Sequence, residues 1–401
     1  MAKNKYIDGR ESFGIAYDWT IIEREYKKLA VPLEYHQPPI KAVLSNKYII
    51  ELSERSTGKT TNWLLVGLVM HKLYGTVVQY IRVTDDELSP SHAITLVDVI
   101  RTYNDGEYIK KLTNDEYNSI YYHWRAYYYA LVDDAGNRVK VDDKPIIQCL
   151  SIDKAADYKS TYNAPTGDLI ILDEFLARGR YYRPNECSDF LDLTKTIIRD
   201  RQSPVVVMLA NTISLSSQYY EDMEISKEVR TLKKGDHKQI VTDGGTHIYV
   251  QILDTEVSRS KARQTVNRLF YGFSSPKLAA ITGRGLYAFD PVPHIPPHDE
   301  SWRLVENRIY IMSGSDLLRC DYAYNDNLGY HMEIHRATRF YDDSVILTLD
   351  GIRDSRFVYG FGTGHLKKIW NKLLIDHLIY YESNEIGSIF KEYFQKYKNT
   401  Q

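Results

Sequence analysis

Four continuous apolar runs, at residues 48–52, 76–82, 168–175 and 205–212, alternate with helical stretches through the first half of the chain. None shows the strict alternation of a strand with one wet face, so each predicts a strand of a parallel sheet covered on both sides. Residues 61–73 are rich in Leu, Val and Met, hold no proline, and predict a helix just after the first strand. An insertion at residues 84–165 separates the second strand from the third. Within it, Asp133-Asp134-Ala135-Gly136-Asn137-Arg138 reads as a hairpin turn between strands at 130–132 and 139–141, in an excursion expected to form part of a subunit interface. The tyrosine-rich stretch from Tyr121 to Tyr129 reads as an aromatic helix face for a core or an interface, with stacking on nucleic-acid bases as the alternative.

The pattern changes after residue 211. Residues 221–245 are charged and then glycine-bearing, the signature of turns and flexible connection. Arg259, Lys261, Arg263 and Arg268 fall on a predicted basic helix, either a solvated face or a contact for phosphate backbone. Four prolines at residues 291–297 predict an extended lead into a last domain, where strand-like runs at 308–312, 316–322 and 330–335 precede helical patterns at 365–378 and 386–397. The expected organisation is a first domain over residues 1–225, a linker or lid over 226–299, and a C-terminal domain over 300–401.

Candidate chemistry sits at the ends of the predicted strands, where open α/β sheets carry their functional groups. Ser53-Glu54-Arg55-Ser56-Thr57-Gly58-Lys59-Thr60 follows the first run and reads as a phosphate-binding loop leading into a helix. Backbone N–H groups can wrap phosphates there, the Lys59 ammonium can reach the terminal phosphates, and the Thr60 hydroxyl can hold Mg²⁺. The spacing departs from G-x-x-x-x-G-K-[ST] at its first position, where Ser53 stands. These eight residues with Thr61 form the candidate nucleotide-binding set. The third run ends in Asp173-Glu174, which suits Asp173 to Mg²⁺ and Glu174 to taking a proton from an attacking water. The fourth ends in Asn211, whose amide can contact a γ-phosphate or that water. Lys59, Glu174 and Asn211 are therefore the catalytic candidates, with ATP and Mg²⁺ as the ligands.

These residues resemble the DNA-packaging ATPases of small tailed phages, the phi29-like encapsidation proteins, which are relatives of large terminase subunits. The likeness rests on Arg55-Ser56-Thr57-Gly58-Lys59-Thr60, Leu172-Asp173-Glu174-Phe175 and Ala210-Asn211-Thr212-Ile213-Ser214. It extends to Tyr80-Ile81-Arg82 followed by Glu87-Leu88, to Lys159-Ser160-Thr161-Tyr162, and to Arg199-Asp200-Arg201, covering about residues 45–220. The resemblance implies a P-loop NTPase core (ASCE, RecA-like) with a mostly parallel sheet, a linker, and a small C-terminal α+β RNase H-like domain that is a nuclease remnant. It implies a homo-oligomeric ring, a pentamer, in which ATP lies between neighbouring subunits. Arg199, then Arg201, is the implied arginine finger acting on a neighbour's ATP, and Lys159 is a second basic residue acting across that interface. The implied partners are double-stranded DNA and the portal protein of the capsid, with a packaging RNA as a further one. The implied location is the host cytoplasm, transiently at the procapsid portal vertex. Tyr35-His36-Gln37-Pro38-Pro39 lies where related motors contact adenine.

Composition narrows the DNA contacts. The 401 residues hold 51 Lys+Arg against 53 Asp+Glu, a formal charge of −2, so DNA has to be gripped locally and not by bulk electrostatics. The three cysteines lack C-x-x-C spacing and predict neither a zinc knuckle nor a disulfide framework. With no long apolar span and a polar start to the chain, membrane insertion is not expected.

Two rivals to the packaging motor stay open. A terminase with a live nuclease would gather Asp321, Glu333, Asp350 and Glu382 around two metals. A nucleotide-gated nucleic-acid-binding protein would use a loop without its first glycine to hold ATP without turnover. A small-molecule kinase is disfavoured, because adjacent Asp and Glu suit activation of water. His331-Met332-Glu333-Ile334-His335 alternates like a strand, and Gly360-Phe361-Gly362-Thr363-Gly364 lacks a surrounding βαβ unit, so both read as structural.

Overall fold

The computed structural model describes residues 17–54, 57–159, 162–164, 166–176, 183, 185–211, 217–256, 292–314, 316–349, 351 and 354–400. The predicted basic helix, with Arg259, Lys261, Arg263 and Arg268, lies outside these residues, as do Arg55, Ser56 and Asp350. Two compact units emerge, one holding the described residues up to Asn211 and from Tyr219 to Glu256, the other centred on those from Val292 onward.

All four apolar runs become buried neighbours in the first unit. In chain order its elements are α1 (Trp19–Lys27), β1 (Tyr48–Ser53), α2 (Lys59–Tyr74), β2 (Val78–Arg82), α3 (Pro90–Thr102), α4 (Glu107–Thr113), β3 (Ser119–His123), β4 (Ala126–Val132), β5 (Arg138–Val141) and β6 (Ile147–Ser151). There follow α5 (Ala155–Tyr158), β7 (Leu169–Asp173), α6 (Glu186–Ile198), β8 (Val205–Asn211), β9 (His237–Val241) and β10 (His247–Ile252). The ten strands form one sheet in the order β3-β4-β6-β2-β7-β8-β1-β10-β9, with β5 paired to β4. From β6 to β10 every neighbouring pair is parallel. β8 therefore lies between the strand of the phosphate loop and the strand of the acidic pair, which brings three carboxyl ends side by side.

Packing explains why α2 carries so little polar surface. Residues 62–70 of this helix are all buried, which is expected of a helix apolar all round. Gly67 sits where a Cβ would fall 2.2 Å from Val78 Cγ2, so only glycine lets the helix approach β2 so closely. A second polar anchor lies in β1. Glu51 is fully buried, accepts from Trp63 Nε1 at 2.6 Å and meets His36 Nε2 at 2.9 Å. His36 in turn donates its backbone N–H to Thr57 at 2.9 Å and accepts from Asn62 Nδ2 at 2.6 Å, tying residues 35–37 to the phosphate loop. Glu51→Ala strips the acceptor from the buried Trp63 Nε1–H and the nearby carboxylate from His36, and is expected to cost about 3 kcal/mol in urea denaturation.

Two expectations from the pattern change here. The Tyr121–Tyr129 stretch is not a helix face: it is the β3–β4 hairpin, turned by Trp124 and Arg125, which both take positive φ. Tyr127 and Tyr129 point into the core while Trp124 is 85% exposed at the tip, so alternation across a strand, not helical spacing, sorts the aromatic rings. The stretch read as linker contains β9 and β10, and β10 pairs in parallel with β1 from Tyr48 to Leu52. Charge and glycine at residues 221–245 mark the turns around these strands, including Gly235 and Gly245 at positive φ. The 133–138 turn joins β4 to β5 as expected.

The second unit holds β11 (Arg303–Ser313), β12 (Asp316–Asn325), β13 (Gly329–Ala337), β14 (Val345–Thr348), β15 (Phe357–Tyr359) and β16 (Ile379–Tyr381). Their order is β15-β14-β11-β12-β13-β16. β11, β12 and β13 form an antiparallel meander, whereas β14 joins β11 and β15 joins β14 in parallel. Helices Gly364–Ile375 and Asn384–Asn399 supply Trp370, Leu373, Ile389, Phe390 and Tyr393 to the core over this sheet.

Candidate active site

The carboxyl ends of β1, β7 and β8 meet at a cavity of about 650 Å³. Thr57, Gly58, Lys59, Thr60, Thr61, Asp173, Glu174 and Asn211 line its polar part. Gly58 makes the entry to α2 possible: it takes φ of 88°, and a Cβ there would press on Asn62 Nδ2 at 3.2 Å and the Tyr35 ring at 3.4 Å. Beyond it the first N–H groups of α2 face the cavity, the usual setting for a phosphate.

Lys59 is nearly buried, and burial pushes its pKa down to about 8 against the opposing pull of Asp173, Glu51 and Glu174. Its ammonium donates to Ser53 Oγ at 2.5 Å. Thr60 Oγ1 donates to Asp173 Oδ2 at 3.0 Å, and Tyr80 donates to the same oxygen at 2.9 Å. Burial raises the Asp173 carboxyl above its ordinary range, although Arg82 pulls the other way. A hydroxyl and a carboxylate this close fit Mg²⁺, which takes one or two protein oxygens and completes its octahedron with phosphates and water.

Glu174 sits one residue past β7 with φ of 57°, a left-handed conformation that costs a non-glycine residue about 1 kcal/mol. Its N–H donates to Leu209 O at 2.7 Å, fixing the turn that puts its half-exposed side chain at the cavity. The carboxylate receives Arg82 Nη2 at 2.9 Å, while the same guanidinium lies 3.0 Å from Glu87 and 3.6 Å from Asp173. Arg82 and Tyr80 had no assigned role in the sequence reading. Their signal was their place at the carboxyl end of a strand that pairs directly with β7.

Sequence-predicted residues divide cleanly. Ser53 and Glu54 stand behind the cavity: Ser53 is buried under Lys59, and Glu54 pairs with Lys234 at 3.0 Å. Arg199, Arg201 and Lys159 are not brought to the cavity. Arg199 caps α6 near the amino end of β8, about 20 Å of strand from Asn211. It donates to Tyr162 O at 3.0 Å from an exposed position. Lys159 pairs with Asp192 of α6 at 2.9 Å in the open. Arg201 is occupied inside the unit, bound to buried Asp168 at 2.5 Å and to Ile197 O at 2.6 Å. Action on a neighbour would require Arg201 to leave a buried carboxylate, which physical chemistry disfavours.

The apolar part of the cavity was legible only in outline. Tyr35, from the segment 35–39, is there with Val31, Pro32 and Leu65. The opposite wall comes from the insertion, as Val99, Tyr103 and Tyr108, with the last two rings stacked at 4.5 Å.

In the second unit the described candidate carboxylates are engaged by basic, indole or backbone N–H groups. Asp321 takes Arg319 at 2.9 Å. Glu333 takes His298 at 3.0 Å, His331 at 3.1 Å and Trp302 at 3.1 Å, and Glu382 takes the backbone N–H of Arg336 at 2.8 Å. Among the described residues no group of three His, Cys, Asp or Glu is arranged to hold a metal, and no helix is long and apolar enough to cross a membrane.

Among solved structures, the phi28 DNA packaging motor aligns with 91% of this chain and 98% of its own, at 15% identity and a TM-score of 0.52. The viral genome packaging motor assembly of bacteriophage phi29 aligns with 90% of this chain and 99% of its own, at 17% identity and a TM-score of 0.53. The chain thus shares the fold of these motors along nearly its whole length. No family model and no curated protein sequence matches it.

Proposed function

We propose that this protein is an ATP-hydrolysing motor that moves double-stranded DNA into a preformed capsid, working as a homo-oligomeric ring at the portal. One observation carries the reading: Lys59, Thr60, Asp173, Glu174 and Asn211, drawn from three separate strand ends, face one cavity large enough for a nucleotide. The shared fold with the phi28 and phi29 motors supports the partners, DNA and portal protein, and the ring. β8 standing between β1 and β7 supports the ASCE, RecA-like reading of the core.

In this reading the base lies against Tyr35 with Tyr103 and Tyr108 on the other side, and the triphosphate follows residues 57–61. Mg²⁺, held by Thr60 and Asp173, supplies positive charge to the phosphates. Glu174 takes the proton of the attacking water, and Asn211 contacts the terminal phosphate. Lys159 and Arg199 lie on the surface away from their own cavity, which fits residues that serve a neighbour's nucleotide in a ring of five. A packaging RNA is a further partner of such a ring. The protein then acts in the host cytoplasm and at the procapsid portal vertex.

The deciding experiment measures ATP turnover by the assembled protein with and without double-stranded DNA. Stimulation by DNA is expected. Nucleotide binding without turnover under both conditions would replace the motor by a nucleotide-gated binding protein. Arg82 makes a further prediction, because its guanidinium holds one oxygen of Glu174 and restrains the side chain that has to meet the water. Arg82→Gln is expected to raise turnover in the absence of DNA and to shrink the DNA-dependent increment, as read from steady-state phosphate release.

The second unit is proposed to be an RNase H-like remnant. Its support is the order of five strands, with the third, second and first antiparallel and the fourth and fifth parallel to the first. No cleavage of plasmid DNA is expected with Mg²⁺ or Mn²⁺; metal-dependent nicking that disappears in Asp321→Asn would restore the terminase with a live nuclease.

A further inference from the structure

We infer that Ser53 is the positioning residue of Lys59, its hydroxyl aiming the ammonium at the site of the terminal phosphates and clamping the loop in front of it. The inference rests on the nucleotide-hydrolysis reading of the cavity. Ser53 is the last residue of β1 and is fully buried. Its Oγ donates to Glu54 O at 2.6 Å, accepts from Lys59 Nζ at 2.5 Å, and lies 2.8 Å from Thr57 Oγ1. A hydroxyl offers one proton and two lone pairs, so with its proton on Glu54 the contact from Thr57 is a donation, and all three capacities are used.

This arrangement does what the usual glycine at that position cannot. Among the described residues Ser53 Oγ is the hydrogen-bond acceptor of Lys59 Nζ. Removing it takes from a nearly buried ammonium the acceptor it has among the described residues, a costly loss for a charged donor. The anchor is rigid. Ser53 pairs in the sheet with Asn211, so the atom that holds the lysine shares a strand pair with the amide facing the terminal phosphate. Thr57 connects the same hydroxyl to the segment bearing Tyr35, because its carbonyl accepts the His36 N–H. Lys59 lines the cavity and Ser53 does not, so Ser53 acts through the lysine and not on the substrate itself.

Alanine fills nearly the volume of serine, so Ser53→Ala separates the hydroxyl from its bulk. In the full-length protein, Ser53→Ala is expected to weaken a fluorescent ATP analogue and to lower kcat, each by about tenfold, because small misplacements of a reacting group have effects of this order. The melting temperature should stay within a few degrees. Ser53→Gly, which restores the ordinary loop, should show the same losses, and Ser53→Thr should recover part of them. The coupling is the test that packing alone would not move: in a Lys59→Ala background, Ser53→Ala should leave analogue affinity unchanged. Wild-type affinity and turnover in both Ser53→Ala and Ser53→Gly, or equal losses with and without Lys59, would overturn the inference while leaving the nucleotide reading in place. Failure of the unaltered protein to bind the analogue would remove both.

Discussion

Glu174→Gln is expected to lower ATP turnover about a thousandfold while nucleotide affinity stays within a few-fold of the unaltered protein. The glutamine keeps the size of the side chain but offers no basic oxygen, so it removes the proton acceptor and little else. Proton transfer by a positioned side chain contributes about 10²–10⁴-fold to rate. Binding, in the proposed reading, rests on Lys59, its neighbours in the cavity and the apolar walls around Tyr35, none of which the change touches. Pre-steady-state turnover together with titration of a fluorescent analogue separates the two quantities. Equal losses in both would move Glu174 from chemistry to binding and leave the water without an acceptor. Because Glu174 also bonds Arg82, a change in affinity larger than tenfold would mean that this pair shapes the empty site.

Arg199→Ala is expected to abolish turnover in assembled rings by about three orders of magnitude and to leave nucleotide binding by the isolated subunit unchanged. A guanidinium inserted on the transferring phosphate is worth about 10³–10⁵ in rate. Within its own subunit Arg199 lies at the amino end of the sheet, bonded to Tyr162 O, and contributes nothing to the cavity. Mixing makes the experiment sharper. Rings assembled from Arg199→Ala and Glu174→Gln subunits should recover turnover at interfaces that join an intact Glu174 to a neighbour's intact Arg199. No recovery in mixed rings would show that Arg199 does not act across subunits. Lys159→Ala, which removes an exposed ion pair with Asp192, should fold normally and weaken the same interface.

The core of the site was legible because its chemistry is local in sequence. A glycine, a lysine and a threonine at the start of a helix, and two carboxylates at the end of an apolar run, each occupy a handful of consecutive residues. Arg82 shows the limit. Its pairing with Glu174 depends on β2 lying beside β7, and these strands are separated by the whole insertion. The aromatic wall of Tyr103 and Tyr108 shows the same limit, since it comes from helices whose spacing says nothing of what they face. Glu54 went astray in the other direction. It stands inside an informative motif, but Lys234, distant in the chain, holds it away from the cavity. The tyrosine stretch misled for a different reason: six of its nine residues are Tyr or Trp, in runs that show neither period, and the choice between helix and strand passed to the Trp124-Arg125 turn.

From residue order alone came the four buried strands, the helix after the loop, the Gly58-Lys59-Thr60 entry to that helix, and the acidic pair Asp173-Glu174. These follow from apolar continuity and from local turn chemistry, which act over a few residues and need no partner. Sheet order, the placement of β10 beside β1, the grip of Arg82 on Glu174 and the hold of Ser53 on Lys59 had to await the folded chain. Each of these depends on which distant segments pair, and that is decided by burial of the whole core, a collective quantity that no short window of sequence contains.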